Sequence, residues 1–492
     1  MSRKLTKNGF LVSFLAAAVS GSGAICQWPQ FRGPDGNGLA DDQSIPLGFG
    51  PRTNLLWKVP LPPGHSSPCI SGDRIFLTGH EGRTLKLLSV RRSDGKVLWE
   101  RTKKLARLPV YAHIAGSPAN STPATDGHLV VFFFDDFGVV VTDLQGKVKW
   151  TKRLAPTPNP FSYGASPILD NGCVYLNRDG AFDSSLLCLD AATGKERWRA
   201  PRTNTVPSFC SPYISKEDGS KRVLVGGTGR LQAYDAASGA PIWQVTGFPA
   251  WVCASPVAAD GMVFFGGWAT AHVSGRSRIE SIFDEDSGVS PEALRDPVAF
   301  FAQFDKNKDG RLSFDEFPKS RARDGFPVLD LNRNGFIELE EWALMYSDYK
   351  PLPGRNVFLG IASGGSGDVT TTHVKWETTR GLPYVASPLV YRGRVYLVKD
   401  GGFLTCLDAA TGRPYYEAER LGVGGDYYST PVAVGEYILV CAQRGTVFLV
   451  RAGDHFEIIA SNALGEAIYA TPAVVENTLY LRGDQHLWAF GK

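Results

Sequence analysis

The sequence predicts an all-β fold, an eight-bladed β-propeller interrupted by one small α-helical insertion. Three observations carry that prediction. A Ser/Thr-Pro pair recurs eight times along the 492 residues. Glycine stands four residues ahead of an aromatic at five corresponding places: Gly95/Trp99, Gly146/Trp150, Gly194/Trp198, Gly239/Trp243 and Gly412/Tyr416. One interval between the pairs is about three times the others and differs from them in composition. The background agrees, since 54 Gly and 32 Pro against three Met favour turn-rich strands over helix bundles. A net charge of +3 supplies no basic field of the size nucleic acid needs, so no nucleic-acid partner is expected.

The chain opens like an exported protein. Arg3, Lys4 and Lys7 precede an apolar run from Phe10 to Val19, and Ser22-Gly23-Ala24 offers small residues for cleavage. This predicts a signal peptide over 1–24, removed near Ala24, and a mature chain in the periplasm or cell envelope, or secreted. Ile25 is too large for lipid attachment at Cys26. No later stretch reaches the roughly 20 apolar residues of a membrane helix. Of the eight cysteines none are adjacent or spaced as CxxC, which argues against a zinc ribbon or haem attachment. They read as buried thiols, with one or two long-range disulfides at most.

The Ser/Thr-Pro pairs are Ser67-Pro68, Thr122-Pro123, Ser166-Pro167, Ser211-Pro212, Ser255-Pro256, Ser387-Pro388, Thr430-Pro431 and Thr471-Pro472, with proline intervals of 55, 44, 45, 44, 132, 43 and 41. Six intervals fit the length of one four-stranded blade, about 40 to 55 residues. After each pair a short strand, a turn and a β-rich run follow, as in Val174-Tyr175-Leu176. A further strand then ends in phrases such as Leu189-Asp190-Ala191-Ala192-Thr193-Gly194-Lys195-Glu196-Arg197-Trp198. Asp and Gly suit the turn before the outer strand, and the aromatic can pack against the next blade. The final repeat ends at Leu487-Trp488-Ala489-Phe490 without a fourth strand, while Asn54 to Val59 precedes the first pair as a lone strand. The two termini should therefore share one blade and close the circle.

The LDAATGKERW-type phrase and its eightfold recurrence resemble the PQQ-like (quinoprotein-type) β-propeller repeat. The chain looks like the BamB-like proteins of that superfamily over about 28–269 and 355–492, and Trp28-Pro29-Gln30-Phe31-Arg32-Gly33-Pro34 is similar to their mature N-terminus. The resemblance implies a propeller that binds partners, and it specifies function poorly.

The insertion follows Phe264 to Trp268, the second strand of blade five, and the blade resumes at Asn356 to Gly360. This divides the chain into propeller (25–269), an EF-hand pair (270–354) and propeller again (355–492). Residues 270–354 carry 16 acidic and 11 basic side chains. Two twelve-residue loops within them match EF-hand spacing. Calcium prefers six to eight oxygens. Loop one supplies Asp305, Asn307, Asp309, the carbonyl of Arg311, Ser313 and Glu316; loop two supplies Asp330, Asn332, Asn334, the carbonyl of Phe336, Glu338 and Glu341. Gly310 and Gly335 permit the sharp turn, and Leu312 and Ile337 suit a short strand pair between loops. Helices are expected over Pro291 to Phe304, capped by Ser290, and over Glu338 to Tyr346. Two Ca2+ sites follow, with loop one binding more tightly because it places two carboxylates at positions one to five.

An enzyme is not the first reading. The resemblance to quinoprotein dehydrogenases would imply PQQ at the propeller axis, between an aromatic and a vicinal Cys-Cys, beside a calcium ion and a base Asp. The chain has no Cys-Cys pair, so PQQ is not expected, and the EF-hands are expected in a peripheral loop away from the axis. His65 and His113 can face the axial funnel, although satisfied loop histidines are the plainer reading. Asp135-Asp136 more simply ends a buried strand than forms a catalytic dyad. The sequence thus points to an exported calcium-binding propeller acting as a non-catalytic binding or assembly scaffold, with an unidentified protein or polymer partner on its loops and top face. The alternative is a PQQ-dependent alcohol or sugar dehydrogenase.

Overall fold

The computed structural model describes residues 27–106, 108–109, 111, 113, 115–157, 162–180, 184–202, 207–217, 219–269, 283, 287–320, 323, 325–347 and 354–492. The expected signal peptide and Cys26 lie outside them. Eight antiparallel sheets form the ring, over residues 69–104, 124–153, 168–201, 213–246, 257–378, 389–420, 432–463 and 473–490. The strands bury apolar side chains on both faces in their middles, as Leu129–Phe134 does, because each blade is covered by a neighbour on either side. The last sheet is completed by Leu55–Pro60, which pairs antiparallel with His486–Phe490. The termini therefore share blade eight, as expected.

The Ser/Thr-Pro pairs do more than open the blades. Each backbone N–H donates to the hydroxyl of the next pair: Ser67 to Thr122, Thr122 to Ser166, Ser166 to Ser211, Ser211 to Ser255, Ser255 to Ser387, Ser387 to Thr430, Thr430 to Thr471, and Thr471 back to Ser67, at 2.8–3.2 Å. Eight buried amides are thus satisfied by one closed hydrogen-bonded circle.

A second set of links holds the blades farther out. An indole from one blade lies on the turn glycine of the next: Trp57 on Gly95, Trp99 on Gly146, Trp150 on Gly194, Trp198 on Gly239 and Trp376 on Gly412. The indole N–H of each donates to a carbonyl of that same turn at 2.8–3.3 Å. Trp243 is the exception, because the connection before the last strand of blade five holds a helical turn, Thr370–His373, instead of an Asp-Gly turn. Its buried indole N–H has no hydrogen bond among the described residues.

The first described residues form a strap beneath the ring, on the side of the turns between first and second strands. Trp28 exchanges backbone hydrogen bonds with Ile70 of blade one. The buried Arg32 guanidinium donates to the carbonyls of Pro256 and Pro388, in blades five and six. Leu39–Ala40 then pairs in parallel with blade seven. Cys173 and Cys188 form a disulfide between the second and third strands of blade three, 15 residues apart, so this bridge is local and not long-range. Cys210, Cys253, Cys406 and Cys441 are free thiols, and Cys69 Sγ donates to the Pro29 carbonyl at 3.2 Å. Among the described residues no helix is long and apolar enough to cross a membrane.

Candidate calcium centres and the axial cavity

Met262–Gly267 pairs with Val357–Ala362, and that strand with Val374–Thr378, so the insertion occupies the hairpin between the second and third strands of blade five. Among the described residues its helices are α1 (Pro297–Phe304), α2 (Phe326–Leu329) and α3 (Leu339–Ser347). α1 is shorter than expected. Pro297 suits the first helical turn, where its missing N–H costs nothing, and Asp296 caps it by accepting from Val298 N at 3.0 Å. Ser290 instead caps a preceding turn, accepting from Ala293 N at 3.1 Å. Arg311–Leu312 pairs with Ile337–Glu338, placing the two position-eight residues opposite each other. Leu312 and Ile337 are fully buried in the insert's own core with Phe300, Phe317 and Trp342.

In loop one the oxygens of the expected ligands are drawn inward by backbone amides. Asp305 accepts from Asp309 N and Gly310 N, and Asn307 from Asp309 N. Glu316, from position twelve, reaches back to Lys306 N, Asn307 N and Ser313 N, with Ser313 Oγ donating to it at 2.7 Å. Those bonds hold its carboxyl below the usual range. Loop two repeats the pattern: Asp330 accepts from Asn334 N and Gly335 N, and Glu341 from Asn332 N at 2.8 Å and Glu338 N at 2.9 Å. Glu338 also accepts from the side-chain amides of Asn332 and Asn334. Burial, and then the neighbouring Glu338, push the Glu341 carboxyl up to about 8. Two carboxyl groups this close, one of them buried, form an arrangement that a hard divalent ion would relieve.

Gly310 and Gly335 take positive φ, as the turn requires. Among the described residues no three His, Cys, Asp or Glu side chains converge as a metal-holding cluster. The expected positions also hold Asn307 in loop one, Asn332 and Asn334 in loop two and a main-chain carbonyl in each, a donor set that suits calcium better than a transition metal.

The insert is not peripheral. Arg333, at position four of loop two, forms an ion pair with Asp136 in the hairpin of blade two, and both side chains are nearly buried. The Arg333 guanidinium lies 5.4 Å from the Tyr111 ring centre, and Tyr111 Oη donates to Asp136 at 2.7 Å. Neighbouring Asp135 is buried and accepts from Thr157 N and Oγ1. The Asp-Asp pair therefore ends a buried strand, and its second member also receives the insert.

On the same top face the axis opens into a cavity of about 320 Å³. Its wall includes all eight hydroxyls of the circle, with Phe31 of the strap, His65, His113, Asn120, Trp251, Cys253, Tyr384, Tyr428 and Tyr469. The His65 and Tyr469 rings stack at 4.1 Å, and Tyr469 and Tyr428 at 5.4 Å. Burial, and then Arg482, push the His65 imidazole down to about 4, so it is neutral near pH 7. Both histidines face the funnel and are satisfied: His65 Nδ1 pairs with the Ala115 carbonyl, and His113 Nδ1 accepts from Ala115 N. The described lining holds a single thiol and no carboxylate, so it does not supply the vicinal cysteines, calcium ligands and base that a quinone cofactor of the dehydrogenase kind would need.

The family model described as outer membrane protein assembly factor BamB matches residues 43–206 and 182–277, and an EF-hand model matches 298–319 and 323–346. No curated protein matches the sequence. Among solved structures, BamB from Moraxella catarrhalis is 14% identical, with 89% of this chain and 99% of that one covered at a TM-score of 0.54. A quinohemoprotein alcohol dehydrogenase from Comamonas testosteroni is 11% identical, with 94% and 80% covered at 0.54. A europium-containing methanol dehydrogenase is 10% identical, with 95% and 98% covered at 0.56. At such identities the likeness speaks for the fold alone. Over 43–277 the chain thus matches the BamB-like propeller repeat family, and the fifth blade of its eight-bladed ring carries two segments that match the EF-hand.

Proposed function

We propose that this protein is an exported calcium-binding propeller that acts as a non-catalytic binding and assembly scaffold. Calcium is held by Asp305, Asn307, Asp309, Arg311 O, Ser313 and Glu316 in loop one, and by Asp330, Asn332, Asn334, Phe336 O, Glu338 and Glu341 in loop two. The observation that carries the calcium part is the pairing of Leu312 with Ile337, which sets two oxygen-rich loops back to back. The scaffold part is supported by a ring closed twice, through its hydroxyl circle and through its shared blade, which offers rigid loops at the top to a protein or polymer partner. The family description, an outer-membrane assembly factor, supports the envelope as its place of work.

Calorimetric titration tests the ligand assignment. The wild type should bind two Ca2+ per chain, Glu316→Gln should lose the loop-one site, and Glu341→Gln the loop-two site. Equal calcium binding by all three would refute it. Adding PQQ with calcium should leave no bound chromophore and no alcohol- or sugar-dependent dye reduction; either signal would favour the dehydrogenase instead.

A further inference from the structure

Blade five and blade two stand three places apart on the ring, yet the insert carried by the first makes an ion pair with the second. Tyr111 and Asp136, which receive Arg333, belong to the linker and hairpin of blade two on the top face. His113 and Ala115 of that same linker line the axial cavity. The far end of the insert therefore rests at the rim of the cavity mouth.

Arg333 sits between Asn332 and Asn334, the third and fifth positions of loop two, with φ at +59°. Lys308 holds the same place in loop one with φ at +60°. The winding of the loop around its centre fixes this backbone, and hence the direction in which the residue leaves the loop. Whatever draws the oxygens of Asn332 and Asn334 together also aims the Arg333 guanidinium. Asp136 gives that guanidinium a charged partner that is itself mostly buried and anchored by the Tyr111 hydroxyl. Lys308 is exposed and forms no ion pair among the described residues, so the two loops differ in what lies beyond them.

We infer that loop two is a calcium-dependent latch: filling it sets Arg333 against Asp136 and Tyr111 of blade two, and so holds the insert across the mouth of the axial cavity. This rests on the calcium reading of loop two given above. Two equilibria that share a residue must influence each other equally in both directions. Docking on blade two therefore tightens calcium in loop two, and calcium tightens docking.

The test uses the full chain and calcium alone. Asp136→Asn keeps an acceptor for Tyr111 but removes the charge, and it lies far in sequence from every proposed ligand. Asp136→Asn and Arg333→Gln should each weaken the loop-two calcium site about fivefold or more, the lower range of measured coupling between sites. Loop one should be unchanged, as should both sites in Lys308→Gln. Calcium should protect the insert from protease in the wild type, and less so in both latch variants. Melting of the ring checks that the variants fold. Unchanged calcium affinity and protection in both latch variants, with two sites filled in the wild type, would overturn the latch and leave the calcium reading intact. A wild type whose loop two takes no calcium would overturn both.

Discussion

At Gly194 the backbone has φ of +72°, and an added Cβ would stand 2.7 Å from the Trp150 indole. Both conditions matter, and Gly393 separates them: its φ is +70°, but no atom lies within 4 Å of the Cβ position. Gly194→Ala should cost about 1–3 kcal/mol beyond Gly393→Ala, because only the first forces the indole out of its seat. Denaturant unfolding of the two variants checks this; equal losses would mean that the glycines are there for turn geometry alone. The Gly-to-aromatic spacing was legible in the sequence because both residues lie within one turn. The expected packing of the aromatic on the next blade is found, and what the spacing did not give is that its seat there is the turn glycine. Arg333 was hidden for a different reason. Position four of an EF-hand loop is free of metal duty, so nothing in the motif distinguishes a residue that reaches another blade.

The hydroxyl circle shows what a repeated element adds to a repeated residue. Each Ser or Thr accepts a buried N–H from the preceding blade, and the chain uses the two residue types interchangeably around the ring. Ser255→Ala would leave the Ser211 amide, held at 3.0 Å in the native circle, without its acceptor. The expected loss is about 1–3 kcal/mol, the cost of a buried unsatisfied group, whereas Ser255→Thr should stay close to the wild type. The midpoint of chemical unfolding distinguishes them, and equal effects would show that water replaces the hydroxyl. The blade count and the closing strand could be read from sequence because strand period and turn residues are local signals. Of the cavity wall only His65 and His113 were expected at the funnel, since Trp251, Tyr384, Tyr428 and Tyr469 come from separate linkers that the ring alone brings together.

Among the described residues the insert's apolar cluster around Phe300, Phe317 and Trp342 shares no residue with the six clusters of the blades. A ligand that binds the folded insert should therefore stabilise the insert and leave the ring as it was. Calorimetric scans with calcium and with chelator should show one transition that moves and a larger one that does not. A single transition moving with calcium would mean that the latch couples the two cores into one unit. The sequence reading placed the insert in the right hairpin but on the rim, because strand pairing fixes where an insertion leaves a sheet and says nothing of how far it travels. The strap beneath the ring has a consequence for blade number. Its residues touch blade one at Trp28, blades five and six at Arg32, and blade seven at Leu39–Ala40, before Leu55–Pro60 joins blade eight. It works as a gauge laid across the diameter: links between neighbouring blades are alike and could be repeated any number of times, but only a ring of eight sets every contact of this one segment where its side chains fall.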